Sequence, residues 1–347
     1  MQITNILTTC IGPLLNLIAL YLGYASVGMA VVSLAMTCVL RFVYLLYVRR
    51  ALHMRPRYGR VDRGFLKEIL AFSFWIFISN VVGQLYNATD TILIGAVPAL
   101  ATTGVAVYNV GAMFNSIVFN LTIGVSSLLS PKTNRMVFSG ATDDELTDLA
   151  IRVGRIQGYI FALVVSGFIA FGKPFIHFYA GAEYAEAYWV AVLMMIPNMI
   201  PLVQSVCLNV IVARNKHRFR SIVYLGIAVL NVAGTWVLMQ YMGIIGAALM
   251  TGLALVIGQG FVMNWYYWKK TGLNMGRFWK SLCSVYMFPC IMCMVVLFLS
   301  KIISFYSIWM LFAGIIVYTL VYCVASWLLV MNEYEKGLIV GMLHKRK

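Results

Sequence analysis

Charge is scarce in this sequence. Of its 347 residues, 11% are Asp, Glu, Lys or Arg, and the acids number only 11. A soluble domain carries about 25% charged residues, so the chain lacks the means to cover a water-exposed globular surface. The four histidines, His53, His177, His217 and His344, show no ligand spacing. The seven cysteines all lie within apolar runs, which argues against a disulfide scaffold. Cys290 and Cys293 stand one helical turn apart and read as small apolar helix residues rather than a metal pair. There is no Gly-rich phosphate loop, nucleophile elbow or zinc motif, so ATP hydrolysis and the common enzyme chemistries are not expected.

What is present is apolar. Hydrophobic residues make up 62% of the chain and its mean hydropathy is +0.88. A bilayer-crossing helix needs about 20 mostly apolar residues. That ruler predicts an all-α, polytopic membrane protein with about ten transmembrane helices. The spans fall approximately at 3–21, 26–48, 69–94, 104–130, 156–178, 188–212, 222–241, 245–267, 282–303 and 308–330. The runs are too long, and alternate too little, for barrel strands.

The net charge of +15 is a topological signal. Alternate gaps, at 49–68, 131–155, 213–221, 268–281 and the tail, hold 23 of the 26 basic residues. The gaps at 22–25, 95–103, 179–187 and 242–244 hold none. Only Lys173 and Lys301 fall near that second side, and Arg41 lies within a span. Basic loops stay cytoplasmic, so both termini are expected inside. Nucleic acid is not needed to explain the charge and is not an expected partner. Met1 opens almost directly into an apolar run without the basic region of a signal peptide, so the first segment reads as a true span.

A faint repeat is visible. Tyr21-Leu22-Gly23 and Tyr241-Met242-Gly243 each introduce a short apolar step and then small residues leading into a helix. Both helices end in aromatics and a basic pair, Arg49-Arg50 and Lys269-Lys270. Transporters are often built from repeated halves.

Polar residues inside the spans carry the functional expectations. Asp90 is the one acid within a span, where a charge costs about 3 kcal/mol or more. Asn80, Gln84 and Asn87 precede it at helical spacing, forming a stripe too polar to face lipid. Two roles follow: lining a sugar-binding cavity, and coupling to a cation or proton gradient through Asp90. The competing reading places Asp90 at the wet outer end of its helix. Asn109, Asn115, Asn120, Asn198 and Gln204 extend the polar set on neighbouring segments. Pro197 and Pro201 remove backbone donors and are hinge candidates, with a packing kink that plays no moving role as the alternative. Arg41, Arg152 and Arg155 are candidates for holding a pyrophosphate, which guanidinium groups clamp through paired hydrogen bonds; snorkelling to the headgroups is the alternative. Ser139 to Leu146 reads as a short surface helix leading into the fifth segment, with Asp143, Asp144 and Glu145 in its first turn.

Together the motifs carry a resemblance. Asp90-Thr91-Ile92-Leu93-Ile94-Gly95, Val107-Tyr108-Asn109-Val110, Ser130-Pro131, Phe171-Gly172-Lys173-Pro174-Phe175-Ile176, Gly243-Ile244-Ile245-Gly246-Ala247-Ala248 and Asn332-Glu333-Tyr334-Glu335-Lys336 are similar to the polysaccharide-export branch of the multidrug/oligosaccharidyl-lipid/polysaccharide exporter superfamily. The resemblance implies two six-helix lobes, with this chain matching all but the first four helices. It divides the chain into the last two helices of a first lobe (1–50), a basic cytoplasmic inter-lobe loop (51–68), a complete six-helix lobe (69–270), and two further helices with a cytoplasmic tail (271–347). It implies a flippase of the bacterial inner membrane for an undecaprenyl-pyrophosphate-linked oligosaccharide of the O-antigen or capsule type. Alternating access between lobes, membrane lipids and a polysaccharide polymerase as partners, and no bound cofactor are implied with it. The rivals are a cation-coupled drug exporter of the same superfamily, a non-transporting remnant, and a membrane-embedded glycan-assembly enzyme.

Overall fold

The computed structural model describes residues 2–50, 62–98, 100–214, 216–300 and 305–344. The side chains of 2–10 and of scattered positions, Asn87 among them, lie outside the described residues, as does most of the basic loop expected at 51–68. Among the described residues there is helix and no strand. By contacts the chain falls into two units, Met1–Glu68 and Ile69–Lys347.

The first unit is a hairpin of α1 (Gln2–Tyr21) and α2 (Ala25–Arg50). Its turn closes with Gly23 at φ 82, a backbone region open to glycine at little cost. Arg41 is exposed on α2.

The second unit begins within α3 (Arg63–Ala96). It continues through α4 (Ala101–Phe138), α5 (Asp143–Tyr179), α6 (Ala187–Val203), α7 (Ser205–Ala213), α8 (His217–Leu255), α9 (Asn264–Thr271), α10 (Met275–Leu299), α11 (Ile308–Ala325) and α12 (Glu333–His344). π-helical turns at Val256–Met263 and Ser326–Val330 follow α8 and α11.

Small residues let these helices approach closely. Gly111 of α4 leaves only enough room for Val190 and the Ala187 carbonyl of α6, and Gly154 of α5 does the same for Phe278 of α10. The outward face is apolar: Met287, Met294, Phe298, Ile316, Leu320 and Leu328 are all exposed. In water this would be an aggregation surface; against lipid tails it is the expected exterior. The protein is a polytopic membrane protein.

Among the described residues six helices are long and apolar enough to cross a membrane, and the bent pair α6–α7 makes a seventh. Arg218–Thr271 runs 54 residues, about 80 Å at 1.5 Å per residue, over twice the roughly 30 Å hydrocarbon core. Gly243 breaks it with φ 57 and ψ −139, giving two spans. Along the 34-residue α3 several side chains between 72 and 87 lie outside the described residues. In α1 the apolar stretch within the described side chains is Ile11–Tyr21.

One local expectation is corrected. The separate surface helix at 139–146 does not form. Instead Thr142 caps α5 directly, accepting from the Glu145 backbone N–H while Glu145 accepts from that of Thr142, and the helix then runs unbroken to Tyr179. The hinge candidates Pro197 and Pro201 both sit inside α6. The 48° bend follows at Gln204, just beyond the donors those prolines remove.

Candidate functional site

A cavity of about 720 Å³ opens within the second unit between α3, α4, α6, α8 and the π-helical turn. Its wall is rich in amides: Asn80 and Gln84 from α3, Asn109 and Asn115 from α4, and Asn198 from α6. Asn198 Nδ2 donates to Asn115 Oδ1 at 2.9 Å, and Thr91 Oγ1 to Asn109 Oδ1 at 3.4 Å. Such walls suit sugar hydroxyls, which need donors and acceptors side by side.

Asp90 lines this cavity and is 1% exposed. Its surroundings are protein, which excludes the reading that water at the helix end wets it. Tyr108 Oη and Thr251 Oγ1 each donate to Oδ2 at 2.5 Å. Asn231 Nδ2 and Thr235 Oγ1 approach Oδ1 at 3.3 and 3.4 Å. Asn231 Oδ1 in turn lies 3.1 Å from Thr251 Oγ1 and 3.3 Å from Thr235 Oγ1. No Lys, Arg or His pairs with Asp90 among the described residues. Carboxylate, amide and hydroxyl oxygens from α3, α4 and both halves of α8 therefore converge without a fixed counter-charge. Oxygen-only sets of this kind fit a hard monovalent or divalent cation, or a proton on the carboxyl. No cluster of three or more His, Cys, Asp or Glu exists among the described residues.

The structure brings together Asn80, Gln84, Asp90, Asn109, Asn115 and Asn198 with Pro201 on one cavity. It leaves Asn120 exposed outside the lining, although Phe119 beside it lines the wall. Asn87 lies outside the described residues. Gln204 is buried away from the cavity and donates to Asn264 Oδ1 at 2.8 Å. Arg41 lies in the first unit.

Arg152 and Arg155 are corrected. Arg152 stacks on the Tyr334 ring at 4.9 Å. Arg155 is buried, and its Nε and Nη2 grip Glu335 at 2.5 and 3.0 Å. Nη1 donates to Ser281 O and Ser284 Oγ at 3.1 and 3.0 Å, and Nη2 also reaches Tyr159 Oη and Val330 O. A pyrophosphate would need donors that this guanidinium has already spent. Asn332 and Glu335 cap α12 reciprocally, each accepting the other's backbone N–H at 2.9 Å. Burial pushes the Glu335 carboxyl up, but the hydrogen bonds from Arg155, Asn332 and Tyr159 outweigh it and hold it below the usual carboxylate range.

Sequence reasoning missed Tyr108, Asn231, Thr235 and Thr251 around Asp90, and Arg220, Tyr224 and Gln259 on the cavity wall. Single polar residues in apolar helices carry no sign of which distant residue they meet. Arg220 reads as a loop cation because the apolar run begins just after it; helix α8 in fact starts earlier, at His217.

Comparisons with known proteins agree with this architecture. A family model described as "Polysaccharide biosynthesis protein" matches residues 1–189, just over half the chain. The solved structure of the lipid II flippase MurJ in its inward closed conformation matches with a TM-score of 0.70 at 16% identity. The match covers 92% of this chain and 66% of that one, so the chain spans about two thirds of the flippase's length. That structure is a transporter's, not an enzyme's. No curated protein matches by sequence.

Proposed function

Because the chain belongs to the polysaccharide biosynthesis protein family, we propose that it flips a lipid-linked oligosaccharide across the bacterial inner membrane. The observation that carries this is the amide-lined cavity within an apolar-faced helical body. The glycan sits against Asn80, Gln84, Asn109, Asn115 and Asn198, while the lipid tail stays in the bilayer. The substrate is an undecaprenyl-pyrophosphate-linked unit of O-antigen or capsule type, passed on to the polymerase that extends it. The basic gaps face the cytoplasm, as do both termini, and alternating access between two lobes moves the cargo.

Asp90 is the coupling group in this reading. A cation or proton bound among its oxygens neutralises a buried charge, and Asn231, Thr235 and Thr251 report that occupancy to both halves of α8. The supporting geometry is a buried carboxylate served by four neutral donors and no base.

The test is export of surface glycan by cells that depend on this chain, alongside an Asn115→Ala, Asn198→Ala double variant. Lost export at unchanged membrane abundance is expected. Wild-type-like export would remove the cavity from the transport path, and export of cationic dyes instead of glycan would favour a drug exporter.

A further inference from the structure

The last two turns of α5 carry Lys173 and His177, one helical turn apart on the same face. With the turn at Gly181, Trp189 of α6 and Tyr306 ahead of α11, they line a second cleft of about 360 Å³, which shares no lining residue with the amide-walled cavity. Helix α5 starts at Asp143, which pairs with Arg214 at 2.7 Å. From Asp143 to Lys173 is about 45 Å at 1.5 Å per residue, more than the roughly 30 Å hydrocarbon core. Lys173 thus stands at the end of the bundle away from the basic loops, and the gap beyond it, 179–187, holds no basic residue. Threading disfavours a cation at that end, so this one is kept against the trend. No acid pairs with it among the described residues. Its Nζ stands instead 5.3 Å from the centre of the Tyr188 ring and 5.2 Å from that of Trp189. Two rings fix the ammonium without neutralising it. His177 packs edge-on to the Tyr306 ring at 5.5 Å. Glu183 and Glu186 belong to the same loop but do not line the cleft. Trp189 and Tyr306 are exposed, and such rings collect at the level of lipid headgroups. Immediately beyond Tyr306 the apolar exterior resumes, with Trp309, Met310 and Phe312 of α11 all exposed.

We propose that this cleft binds the headgroup of an anionic glycerophospholipid, of the phosphatidylglycerol class, from the leaflet at that end of the bundle. The Lys173 ammonium and the His177 ring N–H take the phosphate oxygens. The uncharged glycerol of the headgroup lies against Trp189 and Tyr306, and the acyl chains run along the apolar face of α11. A zwitterionic headgroup would bring its own cation beside Lys173, and that repulsion selects against it. The bound lipid joins the end of α5, the start of α6 and the approach to α11. It thereby stabilises this end of the second unit, apart from the transport cavity and whatever that cavity carries.

The test is native mass spectrometry of the full chain from micelles holding equal amounts of phosphatidylglycerol and phosphatidylcholine, reading which lipid is retained last as the collision energy is raised. The wild type is expected to retain phosphatidylglycerol. Lys173→Gln should cut that preference about tenfold and His177→Ala about threefold, while Lys173→Arg keeps it. Lys269→Gln, exposed at the basic end, controls for general attraction to cationic loops and should leave the preference in place. Unchanged melting in lipid-free detergent identifies the variants that are folded. A preference that survives Lys173→Gln, or falls equally in Lys173→Gln and Lys269→Gln, overturns the site. A loss shared by a folded Lys173→Arg overturns the assignment of the phosphate to this charge. Geranylgeranyl pyrophosphate that displaces phosphatidylglycerol at equal concentration would give the cleft to the cargo and overturn its assignment to bilayer lipid.

Discussion

Asp90 and Glu335 are both buried carboxylates, and their surroundings give them opposite work. Glu335 has a full partner in Arg155, so the pair is a clamp holding the start of α12 against α5 and α10. Removing one member of a buried pair costs about 3–5 kcal/mol, because the other is left charged and alone. Glu335→Gln should therefore lower the melting temperature in detergent at neutral pH. The folded-state pKa of Glu335 is depressed, so its contribution is complete above the ordinary carboxylate value of about 4.3 and is lost as pH falls through the lower folded value. The melting difference between wild type and Glu335→Gln should be constant from pH 7 to about 5 and shrink below about 4. A difference that grows on acidification would contradict the clamp. Asp90 has no such partner. Asp90→Ala removes the acceptor shared by Tyr108, Asn231, Thr235 and Thr251, at about 1–3 kcal/mol for each donor that finds no other partner. Asp90→Asn keeps the shape without the charge. Export by Asp90→Asn is expected to lose its dependence on an imposed ion gradient while membrane abundance holds, and full gradient dependence in that variant would end the coupling role.

The helices make these sites by breaking at chosen points. Pro197 cannot donate to the Leu193 carbonyl, and the gap is filled from the neighbouring helix, where Gly252 lies so close that a Cβ would stand 2.6 Å from that oxygen. Thr251, next in sequence, reaches Asp90. Packing and site are thus set by adjacent residues on α8. Gly252→Ala should push α6 and α8 apart, destabilise the fold by about 1–3 kcal/mol as overpacking does, and impair export more than an alanine at the space-rich Gly226. Equal effects at the two glycines would remove the close contact from the account. Asn264 ties the same level together. It accepts from Gln204 at the α6–α7 bend and from Trp279 of α10, and donates to the Gln259 and Gly260 carbonyls of the π-helical turn. Much of the α3 and α4 wall was legible because helical periodicity lines polar residues up within one segment. The partners of Asp90 were not, since Asn231, Thr235 and Thr251 lie 141 to 161 residues away along the chain. Arg155 was legible as a cation at the start of a span but not as a clamp, for Glu335 is 180 residues distant.

Across the whole molecule, two turns and the placement of charge bear on topology. Gly23 and Gly243 take positive φ, 82 and 57, at matching places in the two repeated motifs. Both turns join helices that end in basic pairs, Arg49 with Arg50 and Lys269 with Lys270. A repeat visible as faint sequence similarity thus has a shared backbone device beneath it. If positive-inside threading applies, the glycine turns share one side of the membrane and the basic ends share the other. Single cysteines placed at the exposed Tyr241 and Glu183 should react in intact cells with a membrane-impermeant maleimide. Cysteines at the exposed Asp144 and Lys270 should react only after the membrane is opened. Reaction at 144 in intact cells would reverse the orientation, and with it the end of the cavity that first meets the cargo.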